Sequence, residues 1–261
     1  MTTSFTATAA EAALRAGKIQ RARYGQDVDV EHKGSIDLVT AVDRACEDAI
    51  LETLRERHPD HDVVAEESGR DRKGSPYVWY VDPLDGTTNF AHSYPVFSAS
   101  VALTKDGHAV AAAVYDPMRD ELFTGERGRG AYLNGRPLRT TGETELIRSL
   151  LITGFPYDVH DHPERVDLFR RFVTTARGVR RGGSAAIDLC YVAAGRADGF
   201  WEEVLNPWDY LAGALLVEEA GGRVSRFDDA PIGVEKGELL ATNGPLHPAM
   251  LAVLKDEKAR K

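Results

Sequence analysis

Two apolar runs of the chain stop abruptly at acids. Val63-Val64-Ala65 runs into Glu66-Glu67, and Tyr77-Val78-Trp79-Tyr80-Val81 runs into Asp82. A buried strand that ends this way leaves its acids at a sheet edge, where open α/β sheets keep their ligand crevices. Gathering carboxylates there is unfavourable, because like charges a few ångströms apart raise one another's pKa and repel. A bound hard cation removes that cost. In Asp82-Pro83-Leu84-Asp85-Gly86-Thr87-Thr88-Asn89, Pro83 fixes its own φ and has no N–H, which predicts a turn between the aspartates. Such a turn can aim both carboxylates at one point, with the Leu84 carbonyl as a further oxygen ligand. Gly86 permits close backbone approach, and Thr87-Thr88 is placed to cap a helix whose free N–H groups suit a phosphate. An all-oxygen ligand set selects Mg²⁺ or Mn²⁺ over Zn²⁺. Carboxylates beside an anion cradle are what metal-assisted phosphoryl transfer to water requires. Taken alone, an Asp-x-x-Asp-Gly turn is more often a capped β-turn with solvated acids.

The elements around these residues follow from periodicity. A helix is predicted over 9–23, opened by a Thr8/Glu11 capping box and stopped by Gly25. A second spans 41–57, with Val42, Cys46, Ala49, Ile50 and Leu54 on the helical period and His58-Pro59 ending it. Strands are predicted at 63–65, 77–81, 97–104, 109–115, 122–123 and 131–133, with turns at Lys105-Asp106-Gly107-His108 and Asn134-Gly135. The second half alternates: strand 150–153, helix 164–176, strand 179–180, helix 184–194, strand 199–201, helix 208–220, strand 239–242 and a terminal helix from about 248. A waist is expected near 140–146.

Composition narrows the class. The chain has 261 residues, and 32 basic against 41 acidic side chains give a net charge of −9. A chain of this length buries roughly three quarters of its extended surface on folding, enough for a core without staples. The acidic balance, with no evident basic patch, argues against direct nucleic-acid binding. Two cysteines, Cys46 and Cys190, exclude a disulfide framework and suggest a reducing compartment, hence the cytoplasm. No apolar run approaches the ~20 residues of a membrane span, and no basic stretch precedes an apolar one at the start, so no secretory signal is expected.

At this point the sequence resembles the inositol monophosphatase family, the Mg²⁺-dependent, lithium-sensitive sugar-phosphate phosphatases. The core of the resemblance is Trp79-Tyr80-Val81-Asp82-Pro83-Leu84-Asp85-Gly86-Thr87-Thr88-Asn89-Phe90. A second match runs from Trp208-Asp209 to Glu219-Ala220-Gly221-Gly222. Asp37-Leu38-Val39-Thr40-Ala41-Val42-Asp43, Glu66-Glu67-Ser68 and Gly183-Ser184-Ala185-Ala186 support it in the same order. Two long motifs in register with three shorter ones cover nearly the whole chain.

The resemblance implies an α/β fold, a layered α/β/α/β/α sandwich of the inositol monophosphatase / fructose-1,6-bisphosphatase type. It implies one phosphatase domain over 1–261, with sub-lobes of about 1–142 and 143–261, and a homodimer. Glu66, Asp82 and the Leu84 carbonyl match ligands of a first Mg²⁺; Asp82, Asp85 and Asp209 match those of a second. Glu66 also matches the holder of a third ion, and Mn²⁺ is an alternative metal. Thr87 matches a threonine paired with an acid, here Asp43, near the attacking water, so Glu66, Thr87 and Asp43 form the implied catalytic set. Gly86 and Thr87 would turn N–H groups to the phosphate. Glu202, Ser184, Ala185 and Asp209 would meet the sugar, and Trp208 would wall the site.

These roles are physically coherent, because divalent ions invert the local sign for an incoming phosphomonoester dianion. Glu202 and the compact length favour a single-phosphate polyol such as myo-inositol 1-phosphate over histidinol phosphate, fructose 1,6-bisphosphate or adenosine bisphosphate. A haloacid-dehalogenase-type phosphatase would need two aspartates one residue apart, unlike Asp82 and Asp85. A rival of another class is an interaction protein, since bacterial members of the family can associate with transcription machinery. Leu211 departs from the family's small residue there and is expected to disturb packing beside the pocket; Val204 and Asn206 lie in a variable substrate-facing stretch. His92, Lys33 and Arg180-Arg181 are weaker candidates for the site. Asp158, His160, Asp161 and His162 read as a solvated lead-in to a helix, Arg127-Gly128-Arg129-Gly130 as a hairpin tip, and Glu67 as pointing away from the ligands.

Overall fold

The computed structural model describes residues 4–26, 30–32, 38–155, 162 and 165–255. In chain order these form α1 (Phe5–Arg23), β1 (Val30–His32), β2 (Leu38–Thr40), α2 (Ala41–Arg57), β3 (Asp62–Ala65), β4 (Gly69–Asp71), β5 (Tyr77–Asp85) and α3 (Thr87–Ala91). Next come β6 (Ser98–Lys105), β7 (His108–Asp116), β8 (Glu121–Glu126), β9 (Gly130–Leu133) and β10 (Arg136–Pro137). After a 3₁₀ turn (Leu146–Arg148) follow β11 (Leu150–Thr153), α4 (Arg165–Thr175), β12 (Gly178–Arg180), α5 (Ala185–Ala193) and β13 (Gly199–Leu205). The last elements are α6 (Pro207–Glu219), β14 (Arg223–Ser225), β15 (Gly237–Thr242) and α7 (His247–Lys255).

The strands build an eight-stranded sheet, β10-β9-β8-β7-β6-β5-β3-β4, and a five-stranded one, β12-β11-β13-β15-β14; β1 and β2 pair separately. Successive residues along a strand face opposite ways, and the core divides accordingly. Trp79 and Val81 pack with Ala16, Cys46 and Ile50 of α1 and α2, while Tyr80 joins Leu189 and Leu215 of α5 and α6. In the second sheet Ile152 and Phe200 face α5 and α6, whereas Leu151 and Trp201 face Phe172 of α4 and Met250 of α7. The result is five layers, α1/α2, sheet, α5/α6, sheet, α4/α7, as the sequence suggested. Between two sheets a helix must be apolar on every side, and all of 210–217 in α6 is buried. α6 also lies close against α5: a Cβ on Gly213 would stand 2.4 Å from the Leu189 Cβ.

Several boundaries differ from expectation. α1 begins at Phe5 because Ser4, not Thr8, is its cap, its hydroxyl accepting the Ala7 N–H at 3.1 Å. The extra turn packs the half-buried Phe5 among the His58, Tyr77 and Trp79 rings, and Thr8 is internal. No free turn separates Asp82 from Asp85; β5 continues through them with a register shift against β6, so Pro83 is absorbed as a bulge. The cap of α3 is Gly86, at φ +99°, rather than Thr87-Thr88. The strand predicted at 199–201 extends to Leu205, and β4, β10 and β14 are too short to leave a periodic signal. The two hairpin turns are as expected, with positive φ at Asp106, Gly107, Asn134 and Gly135. Both cysteines are free and buried. Among the described residues no helix is long and apolar enough to cross a membrane.

The aromatic cluster at the start of α1 carries a titratable pair. His58 and His61 stack 4.8 Å apart, and the Trp79 indole N–H donates to His61 Nδ1 at 3.1 Å. An indole nitrogen only donates, so that ring nitrogen must keep its lone pair. Burial first, then the Arg57 charge for His58 and the His58 charge for His61, holds both pKa values below the ordinary one. A histidine whose folded pKa is lowered contributes stability that is present above its unfolded value, about 6.5, and lost as pH falls through the folded value. The thermal midpoint should therefore drop between about pH 7 and pH 5 more steeply in the wild type than in a His58→Gln/His61→Gln variant. Equal slopes would contradict the assignment.

Candidate active site

β3 and β5 run parallel with Ala65 opposite Val81, so Glu66 and Asp82 leave adjacent strands at the same level. The Glu66 N–H donates to the Val81 carbonyl at 3.2 Å. Glu47, buried in α2, accepts the Glu67 and Ser68 N–H groups, each at 2.9 Å, and fixes the turn that presents Glu66. Glu67 is outside the cavity wall, as its alternation implied.

A cavity of about 390 Å³ opens above these strand ends. Glu66, Asp82, Leu84, Asp85, Gly86, Thr87, Ser184, Ala185, Glu202 and Asp209 all line it, bringing together every member of the implied metal, catalytic and sugar-binding sets except Asp43. Asp43 stands directly behind the wall: the Thr87 hydroxyl lies 3.0 Å from its Oδ1 and 3.0 Å from the Leu84 carbonyl. The other Asp43 oxygen accepts the Thr40 N–H at 2.9 Å and the Thr40 hydroxyl at 2.5 Å, closing the α2 capping box. A wider cleft of about 500 Å³ lies elsewhere, between β9–β10 and the end of α6, and has Glu219 as its one lining acid.

Asp82, Asp85 and Asp209 are tethered by donors near a strand or helix end. Leu84 N–H donates to Asp82 at 3.0 Å. Asp85 turns to the start of α5, accepting the Ser184 hydroxyl at 2.5 Å, Ala186 N–H at 2.8 Å and Ala185 N–H at 3.3 Å. Asp209, in the first turn of α6 behind Pro207, accepts the Asn206 N–H at 2.7 Å. Helix N-termini favour such negative charge. Opposing them is enclosure. Burial raises the Asp82 pKa far above the usual range, and the charges of Glu66, Asp85 and Asp209 raise it further. Burial likewise pushes Asp85 to about 6 against its hydrogen bonds, and lifts Asp209, helped by Asp85 and Glu202. Burial, with Asp188 nearby, takes Glu202 to about 8.

Gly154 makes room for that last carboxylate, since a Cβ there would sit 2.1 Å from Glu202 Oε2. Asn89 ties α3 to the loop before α5 by donating to Val96 and Gly182 carbonyls at 2.8 and 3.0 Å.

Asp188, Lys236, Gly154 and Phe155 line the cavity but carried no readable signal as site members. Asp188 looks like an ordinary helix acid, yet it is buried with its pKa raised by burial and by Asp85. Of the Arg180-Arg181 pair, Arg181 lines the cavity and Arg180 is exposed. Trp208 does not wall the cavity; it packs against the central core, and Val204, Leu205 and Asn206 take that place. Leu211 is buried on the far side of α6, beside His108 and Ile232, and leaves the pocket untouched. His92 is exposed at the end of α3, and Arg127 and Arg129 lie at the β8–β9 hairpin, with Arg127 paired to Glu218 at 2.6 Å. His162 is exposed; Lys33, Asp37, Asp158, His160 and Asp161 lie outside the described residues.

Among the described residues no group of three or more His, Cys, Asp or Glu side chains is arranged to hold a metal ion. The donor set nevertheless suits a hard cation. It is entirely oxygen, and its acids are enclosed and mutually repelling, so added positive charge is the direct way to lower their energy.

Solved structures named as inositol monophosphatases share this layered architecture. The one from Anabaena (Nostoc) sp. is 43% identical with a TM-score of 0.88, covering 96% of this chain and 94% of that one. The extragenic suppressor protein suhB from Bartonella henselae is 38% identical with a TM-score of 0.92, covering 96% and 98%. Among curated relatives, the inositol-1-monophosphatase of Synechocystis sp. is 45% identical over 253 residues, 94% of this chain and 87% of the relative. The Nus factor SuhB of Pseudomonas aeruginosa is 46% identical over 233 residues, 87% and 86% of the two. The profile of the inositol monophosphatase family matches residues 1–259. The chain belongs to this family, and its members are phosphatases.

The electrostatics make a prediction about the metal-free protein. Asp82→Asn keeps an oxygen for the Leu84 N–H while removing one enclosed charge. In chelator, at a pH high enough to ionise the wild-type carboxyl, its thermal midpoint should rise by a few degrees, roughly 2–4 °C for each kcal/mol of repulsion relieved. A lower midpoint than wild type in calorimetry would show that Asp82 is not held against repulsion.

Proposed function

We propose that the cavity hydrolyses a phosphate monoester of a small polyol, most directly myo-inositol 1-phosphate, with two or three Mg²⁺ ions. The observation that carries this reading is the convergence of Glu66, Asp82, Leu84, Asp85, Glu202 and Asp209 on one cavity, where burial raises the pKa of Asp82, Asp85 and Asp209. Glu66, Asp82, Asp85, Asp209 and the Leu84 carbonyl would hold the metal. Mn²⁺ suits the same oxygens. When bound, the ions supply the charge that admits a phosphate dianion and make water nucleophilic near neutral pH.

The chain's own groups do the rest. Asp43 accepts the Thr87 hydroxyl proton, leaving the hydroxyl oxygen to orient water for attack on phosphorus. The Gly86 and Thr87 N–H groups, at the start of α3, would donate to phosphate oxygens. Arg181 and Lys236 add positive charge at the wall. Ser184 and Ala185 leave space for the ring, and Glu202 offers acceptors to its hydroxyls. The reading gains support from the relative of Synechocystis named an inositol-1-monophosphatase. A second reading, association with transcription machinery, draws on comparable identity to a protein named a Nus factor.

Phosphate release should be measured on inositol 1-phosphate, histidinol phosphate, fructose 1,6-bisphosphate and adenosine bisphosphate. Release should be fastest from inositol 1-phosphate, require Mg²⁺ and stop in chelator. Asp85→Asn should lose most turnover while staying folded, and Thr87→Ala should lose roughly 10–100-fold. Undiminished turnover in chelator or in Asp85→Asn would overturn the assignment. Absence of turnover on every ester would leave the interaction reading.

A further inference from the structure

β5 carries two of the carboxylates proposed to hold the cation, and its ladder to β6 breaks between them. Pairing passes from Asp82 opposite Ser100 to Asp85 opposite Ser98, so Pro83 and Leu84 bulge against a single residue. Pro83 has no N–H to give the ladder, and a bulge leaves carbonyls without strand partners. A side chain from another layer takes that place. Gln20, fully buried on α1, donates from Nε2 to the Pro83 carbonyl at 2.7 Å and to the Ser98 carbonyl at 3.2 Å.

The rest of the inward face of α1 is built from small residues such as Ala9, Ala12, Ala13, Ala16 and Gly17. Gln20 alone brings an amide to it. Because both neighbours are acceptors, the NH₂ must face them, and the Gln20 Oε1 is left buried without a partner. An apolar side chain would fill the space without that unpaired oxygen. What it could not do is bridge the two carbonyls. The end of α1 is also anchored beside the site, where the Tyr24 ring meets Phe90 of α3 at 6.1 Å and Phe97 at 5.3 Å.

We propose that Gln20 is a positioning residue for cation binding: its amide bridge fixes the backbone between Asp82 and Asp85 and thereby the reach of both carboxylates and the Leu84 carbonyl. This rests on the cation assignment above. It is tested by titrating Mn²⁺ into the chelator-stripped protein, by calorimetry or electron paramagnetic resonance, well below the thermal midpoint. Gln20→Met, similar in length but unable to donate, should weaken Mn²⁺ affinity by roughly 10-fold, the usual size of an outer-sphere effect. Its turnover should recover at raised Mg²⁺, so that the Mg²⁺ requirement moves while kcat stays near wild type. Ile50→Val, which trims the same α1/α2 core, should lower the midpoint without moving the affinity. Gln20→Asn, whose amide is one methylene short, should weaken binding in the same sense and serves if Gln20→Met does not fold. Wild-type affinity in a folded Gln20 variant would overturn the proposal, as would an equal loss in Ile50→Val. Failure of the wild type to bind Mn²⁺ would instead overturn the cation assignment itself.

Discussion

Asp82, Asp85 and Asp209 are drawn into a wall where enclosure resists ionisation of all three, and neighbouring acids add to it at Asp82 and Asp209. Asp82 is met by the Leu84 N–H within β5, and the other acids by donors that the architecture supplies at helix starts. The α5 start holds Asp85, the α6 start holds Asp209, and the α2 start holds Asp43 behind Thr87. Such ends carry free N–H groups and partial positive charge. They offset part of the cost; on the proposed reading a bound cation meets the remainder, so that the site is stable enough to form and short enough of positive charge to bind.

The five layers place these ends. β3 and β5 lie parallel and deliver Glu66 and Asp82 side by side. α5 and α6 lie between the two sheets, buried on all sides, so their starts reach the cavity from the middle of the molecule. The second sheet contributes Glu202 on β13, with Gly154 directly after β11 making room for it. Small residues recur where backbone must come close. Gly86, at φ +99°, has the Val96 and Gly183 carbonyls 3.0 and 3.2 Å from where a Cβ would be, so a side chain there would push the loop before α5 off the cavity.

Much of the site was legible because its residues stand in dense local strings. Asp82, Asp85, Gly86 and Thr87 occupy one stretch of eight residues, and Asp209 follows Trp208 at the head of a helix. Hairpins with Asp106-Gly107 and Asn134-Gly135 were legible for the same reason, since their positive φ is a local demand. What the sequence hid depends on partners far along the chain. Glu47 reads as one more exposed helix acid until its contact with the Glu67 and Ser68 N–H groups is seen. Asp188 and Lys236 acquire meaning only from the cavity they share. The Pro83 bulge was misjudged as a turn because proline's local restriction is visible, whereas a donor 63 residues away is not. Ser4 outcompeted Thr8 as a cap because Phe5 had a ring cluster to join.

The central claim is that these oxygens are held together for a divalent ion, and anomalous diffraction from crystals soaked in Mn²⁺ addresses it most directly. Peaks should appear within about 2–2.3 Å of Asp82 and of Glu66, Asp85 or Asp209, with one peak near the Leu84 carbonyl. A map of fully occupied crystals with no peak in the cavity, or with peaks only at surface acids, would contradict it.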